Sequence, residues 1–191
     1  VQELINKIIK VKFSPNELNV IYNHCANTPP DKIFSHPDFG HKAYFSWLPE
    51  PIVDKICREV ARQIDEPLVL RELSFARYDN TNKATPKLYP HFDIFKEKRI
   101  TVDIQVESSV DWPLVVDGSE YTLKDGEALV FSGTHQIHWR VHKDFSHGDF
   151  VDMIFCHFSY PDESLETTTD EHIAKMKILE EEARKVWYAQ Q

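Results

Sequence analysis

The sequence predicts a mainly β domain with flanking helices, of the sandwich, barrel or jelly-roll kind. Two observations predict it. From Leu68 onward the apolar period shortens from about 3.6 residues to 2, and four of the five glycines (Gly118, Gly126, Gly133, Gly148) fall in the closely spaced turns that follow. With 191 residues, 41% hydrophobic and 28% charged, the chain has the length and composition of a single soluble globular domain. The expected layout is a helical support at 1–67, a β core at 68–160 and a C-terminal helix at 161–191.

The elements follow in order. Ser14-Pro15-Asn16-Glu17 is a helix start: Ser14 caps, Pro15 suits the first helical position and Glu17 completes a capping box. That helix ends before Pro29-Pro30. A second runs from about Pro51 to Ile64, with Ile52, Ile56, Val60 and Ile64 every four residues, until Pro67 stops it. Leu68 to Tyr78 reads as a strand. In Arg99 to Glu107, Ile100, Val102, Ile104 and Val106 face one way and Arg99, Thr101, Asp103, Gln105 and Glu107 the other. Short strands are expected at 112–116, 120–123 and 128–131, separated by Asp117-Gly118 and Asp125-Gly126 turns, then at 138–141 and 150–158. The tail from Thr169 to Ala189 is a helix with Ile173, Met176, Leu179, Ala183, Val186 and Trp187 on a broad apolar stripe. Packing on the sheet is the expected use of that stripe, and a homodimer contact is the sharper alternative.

Charge narrows the function. With 22 Lys plus Arg against 31 Asp plus Glu, the formal charge is −9, unsuited to the phosphate contacts that dominate nucleic-acid binding. No apolar run is long enough to span a bilayer, and the N-terminus lacks a signal-peptide core. The three cysteines (Cys25, Cys57, Cys156) form neither a disulfide framework nor a CxxC pair, so a reducing, cytoplasmic setting is expected.

The chemistry concentrates in Tyr89-Pro90-His91-Phe92-Asp93. On an extended chain His91 and Asp93 project from one face and can present an imidazole and a carboxylate to one ion. A third ligand must come from another strand. Gly133-Thr-His-Gln-Ile-His-Trp-Arg140 supplies two candidates, of which His138 enters a strand-like Ile-His-Trp-Arg-Val run and His135 sits in a turn. Two histidines and a carboxylate on one face leave adjacent coordination positions open, an arrangement suited to Fe(II).

These pieces, in order Tyr78, Tyr89-Pro-His91-Phe-Asp93, Asp125-Gly-Glu-Ala-Leu-Val-Phe and His138-Trp-Arg140, resemble the 2-oxoglutarate- and Fe(II)-dependent oxygenases. The resemblance, from about Arg77 to Phe158, implies a double-stranded β-helix (jelly-roll, cupin-like) core and His91, Asp93 and His138 as iron ligands. It implies 2-oxoglutarate and O₂ as cosubstrates, and hydroxylation of a C–H bond with succinate and CO₂ as coproducts. Many members carry an Arg or Lys about ten residues after the distal histidine to hold the far carboxylate of 2-oxoglutarate. Here that position is Gly148, with no Arg or Lys beside it. Arg140 is the expected substitute because it shares a strand face with His138, with Arg99 as runner-up and Tyr78 as a hydrogen-bond donor to the same carboxylate. Thr101 and Gln105 are expected to line the cavity, and Trp112 and Trp139 the substrate pocket. Halogenating relatives have a small residue in place of the carboxylate, so Asp93 implies hydroxylation or desaturation. A small polar metabolite, such as an amino acid or derivative, fits the compact core, with residues 28–50 and the 79–88 loop shaping the approach. Competing readings are a cupin-like isomerase or hydrolase that uses the metal without 2-oxoglutarate, and a non-catalytic β-sandwich binding module. His142, His147 and His157 form no recognised metal motif.

Overall fold

The computed structural model describes residues 6–81, 85–93, 100–161 and 168–190. In chain order its elements are β1 (Lys7–Lys10), α1 (Pro15–Ala26), β2 (Ile33–Ser35), β3 (His41–Tyr44), α2 (Glu50–Ile64), β4 (Val69–Asp79), β5 (Ile100–Ser108), β6 (Leu114–Val116), β7 (Ser119–Tyr121), β8 (Glu127–Phe131), β9 (His138–Arg140), β10 (Phe150–Ser159) and α3 (Asp170–Ala189). The capping box of α1 forms as expected: the Glu17 amide donates to Ser14 Oγ at 3.3 Å, and the Ser14 amide donates to Glu17 Oε2 at 2.7 Å. Such a cap stabilises a helix by about 1 kcal/mol.

The strands form a seven-stranded antiparallel sheet, ordered β1-β8-β5-β10-β4-β3-β2, and a three-stranded sheet, β7-β6-β9. A bridge between His91 and His138 adds residues 88–93 to the small sheet, beside β9. From β4 the chain then alternates between sheets: β4, the 88–93 segment, β5, the β6–β7 hairpin, β8, β9, β10. Two four-stranded sheets result, β8-β5-β10-β4 and β7-β6-β9-(88–93), which is the double-stranded β-helix. Leu114 and Val116 of β6 pack with Leu129 and Phe131 of β8 between the sheets.

The other face of the large sheet is covered by α1 and α2. Ile21, Ile52, Ile56 and Val60 pack there against Ile100, Val102, Ile104 and Val106 of β5 and Ile154, Cys156 and Phe158 of β10. The alternation in β5 therefore sorts its residues as its pattern predicts, with Thr101, Asp103 and Gln105 facing the interior. One residue departs from it. A β-bulge opposite Asp152 and Met153 shifts the register, and Glu107 turns to the helix side, where it accepts the Tyr22 hydroxyl proton at 2.6 Å.

Two expectations change. The first third is not purely helical: β1 pairs with β8, and β2 and β3 extend the sheet beyond β4. In α3 only Met176, Glu180 and Trp187 are buried, whereas Ile178, Leu179 and Val186 are exposed. The stripe read from spacing is thus rotated, because the helix is seated by polar contacts to the small sheet as well as by apolar ones. Among the described residues no helix is long and apolar enough to cross a membrane.

Candidate metal centre

Backbone pairing sets the positions of the candidate ligands. His91 and His138 exchange both main-chain hydrogen bonds, each at 3.0 Å, and the Asp93 amide donates to Gly133 O at 2.9 Å. Residues 91 and 93 share a face through the strand period, and β9 brings His138 across from them. His91, Asp93 and His138 each present a ligand atom within 4.8 Å of the others. His138 Nε2 lies 3.6 Å and His91 Nε2 4.0 Å from Asp93 Oδ1. The Nδ1 atoms face backbone carbonyls, Tyr89 O at 2.9 Å for His91 and Gln136 O at 3.1 Å for His138. A carbonyl only accepts, so Nδ1 carries the proton and each Nε2 lone pair points inward. His135 is exposed, with its Nδ1 2.9 Å from Thr134 Oγ1, and stands outside the cluster.

The electrostatics suit a cation. Burial pulls the His91 imidazole down to about 3, which keeps it neutral. Burial acts the same way on His138, but the Asp93 carboxylate beside it outweighs that and raises it. Burial works against ionised Asp93, yet the imidazoles of His138 and His157 hold it well below the usual carboxylate range. Two imidazoles and a carboxylate converging from one side fit a divalent ion with positions left open.

Around the triad, Thr101 Oγ1 donates to Asp93 Oδ2 at 2.6 Å, and His157 Nε2 lies 3.5 Å from the same oxygen. The sequence reading set His157 aside with His142 and His147 as forming no recognised metal motif, yet it alternates with Met153 and Phe155 on β10 and so shares their interior face beside Asp93. Gly133 packs flat against Asp93 and Thr101, leaving no room for a Cβ. Gly133 does lie in the turn after β8, as expected, and it has a second role that its spacing does not show, the close approach to Asp93 and Thr101. Phe39, from the 28–50 region, has its ring centroid 5.2 Å from that of His91.

Deeper in the interior, Arg140 is 2% exposed. Its guanidinium donates to Trp112 O, reaches Met153 Sδ at 3.5 Å and lies 4.8 Å from the centroid of the Trp112 ring. No carboxylate stands within salt-bridge distance of it among the described residues. Tyr78, 1% exposed, packs edge-on to Trp112 with centroids 4.9 Å apart, and burial pushes its phenol up, so it remains a donor. Gln105 does not line this space: its amide donates to Ser108 Oγ, Leu123 O and Asp125 Oδ1 at 2.9–3.2 Å. Nor does Trp139, since residues 138 and 140 face inward and 139 the opposite way. Arg99 lies outside the described residues. His142 and His147 are exposed, and Cys156 is core packing.

Asp103 is the interior group with no obvious structural use. It is 4% exposed, and burial pushes its carboxyl up to about 6, with Asp93 adding to that and His138, Arg140 and His157 acting against it. Because the folded state holds this proton more tightly than the unfolded chain, the group costs stability as pH rises from about 4 through 6. Asp103→Asn is therefore expected to raise the thermal midpoint of the metal-free protein near pH 7.5 by a few degrees, with the gain vanishing near pH 4. Calorimetric scans across that range check it.

No protein-family model matches the sequence, and no curated protein matches it. Solved structures do match in shape. SnoN, a non-heme alpha ketoglutarate dependent epimerase from nogalamycin biosynthesis, superposes with a TM-score of 0.63 at 11% identity, covering 81% of this chain and 78% of that one. The fold is that of the 2-oxoglutarate- and Fe(II)-dependent oxygenases. HygX from Streptomyces hygroscopicus, crystallised with nickel, 2-oxoglutarate and hygromycin B, gives 0.59 at 10% identity over 82% of this chain and 83% of its own. An oxidoreductase of the 2OG-Fe(II) oxygenase family from Burkholderia pseudomallei gives 0.57 at 13% identity over 81% and 85%.

Proposed function

We propose that this chain is a non-haem Fe(II)- and 2-oxoglutarate-dependent oxygenase that hydroxylates a C–H bond of a small polar metabolite, such as an amino acid or derivative. The balance is R–H plus O₂ plus 2-oxoglutarate giving R–OH, succinate and CO₂. The observation that carries the reading is the pairing of the His91–Asp93–His138 cluster with the buried Arg140 guanidinium on one inner face. His91, Asp93 and His138 would hold the ion, which supplies the oxygen-activating chemistry when bound. Thr101 orients Asp93 through its 2.6 Å hydrogen bond. Arg140 and Tyr78 would bind the far carboxylate of 2-oxoglutarate, the guanidinium as a charged donor and the phenol as a neutral one. The buried rings of Trp112 and Tyr78 exclude water there and strengthen that pairing. The small-molecule substrate class is supported by the compact interior and by HygX, which was crystallised with hygromycin B.

Anaerobic calorimetric titration with Mn(II), then 2-oxoglutarate, tests the reading, followed by succinate detection with Fe(II) and O₂. Both ligands are expected to bind, the second only after the first. Arg140→Met is expected to keep the metal and weaken 2-oxoglutarate on the order of 100-fold, the cost of removing one partner of a buried charge pair. Metal binding without 2-oxoglutarate binding would favour the cupin-like isomerase or hydrolase instead, and no metal binding the non-catalytic module.

A further inference from the structure

The strand that carries His91 and Asp93 lies at the edge of the small sheet. Its inner side is satisfied by β9 and Gly133, so residues 90 and 92 turn their main-chain groups outward, where no strand among the described residues pairs with them. An unpaired edge of this kind is loose and open to mispairing. Here it meets α3 instead. Glu180 Oε1 accepts the Phe92 amide proton at 2.7 Å, and Arg184 Nε donates to Pro90 O at 3.0 Å. The same two side chains pair with each other at 3.2 Å across one helical turn.

The spacings match. Residues four apart on a helix rise about 6 Å, and outward groups two residues apart on a strand are separated by about 6.6 Å. One carboxylate and one guanidinium on successive turns therefore imitate the acceptor and donor of a neighbouring strand. Pro90 suits the position, because it offers no outward amide that would need a further acceptor. Arg184 also stacks over the Tyr89 ring at 4.0 Å, and Trp187 Nε1 donates to Arg140 O at 3.1 Å, so α3 reaches both site-bearing segments. Glu180 is 7% exposed, a buried carboxylate between Met176 and Trp187 on the inward face of α3.

We propose that Glu180 and Arg184 are positioning residues for the metal centre, a surrogate strand edge that fixes the main chain between His91 and Asp93. The proposal rests on the metal-binding reading of that triad. Outer partners of this kind are worth about 10–100-fold in metal affinity.

The test is Co(II) titration of the full chain, read by affinity and by the ligand-field absorption of the bound ion, with the thermal midpoint of each metal-free variant measured alongside. Glu180→Leu is expected to weaken Co(II) about 10–100-fold and alter its absorption. Glu180→Gln keeps an acceptor oxygen for the Phe92 amide and is expected to stay within about threefold of wild type. A folded Glu180→Leu protein with wild-type affinity and absorption overturns the positioning role. If Glu180→Leu does not fold, Arg184→Met decides: weaker Co(II) binding supports the role and unchanged binding overturns it. A wild type that binds no Co(II), or binds it equally well as His91→Ala, overturns the metal reading itself, whereas the Glu180 and Arg184 variants test only the clamp.

Discussion

Gly133→Ala is expected to disable the proposed metal centre with one methyl group. A Cβ at position 133 would fall inside contact distance of Asp93 Oδ2 and Thr101 Oγ1 and only 2.7 Å from Asp93 Cγ. None of these atoms can move freely. Asp93 Oδ2 accepts from Thr101, and the Asp93 amide is held by Gly133's own carbonyl, so a shift of residue 133 pulls the ligand strand with it. A displacement near 1 Å costs on the order of 100-fold in a positioned reaction, and metal affinity is expected to fall at least as far. Co(II) titration reads the loss directly. Gly118→Ala and Gly148→Ala are the controls. Both positions have positive φ, +80° and +91°, but nothing within 4 Å of a Cβ. They are expected to lose about 1 kcal/mol of stability and no metal affinity. Loss of Co(II) binding in the controls, or its retention in Gly133→Ala, would contradict the close-approach account.

Asp93→Ala is the second large effect. It removes the sole carboxylate of the triad and frees Thr101 and His157 from their common partner. No measurable metal binding is expected, and adding Gly133→Ala to it should cost nothing further, because both changes act on one interaction. A metal-free readout exists too. Asp93 is what raises His138 against the pull of burial, so His138 is expected to titrate lower in Asp93→Ala than in wild type, as followed by proton NMR of the ring. An unchanged His138 would mean that another group sets its charge.

Much of this site is readable in one dimension. A strand imposes a period of two, so His91 with Asp93, and His138 with Arg140, must each share a face wherever the strands lie. The same period separates the core-facing isoleucines and valines of β5 from Thr101 and Asp103. The choice of His138 over His135 follows from local context, since one belongs to a β run and the other to a turn. Helix signals at Ser14-Pro15 and Pro67 are equally local, as are the Asp-Gly turns.

The misses share another cause. β1 and β3 are four residues each, Lys-Ile-Ile-Lys and His-Lys-Ala-Tyr, too short to show a period and strands only because β8 and β4 offer them an edge. Glu107 changes face through a bulge that depends on the register with β10. His157 and Gly133 belong to the site only because β10 and the turn after β8 arrive beside Asp93. Glu180 and Arg184 are separated from Phe92 and Pro90 by 88 and 94 residues. Local periodicity and turn chemistry therefore determine which residues face inward, because those are properties of a few consecutive backbone dihedrals. Which inward residues meet, which glycine must stay bare and which helix covers the ligand strand depend on long-range pairing, and only the closed pair of sheets decides them.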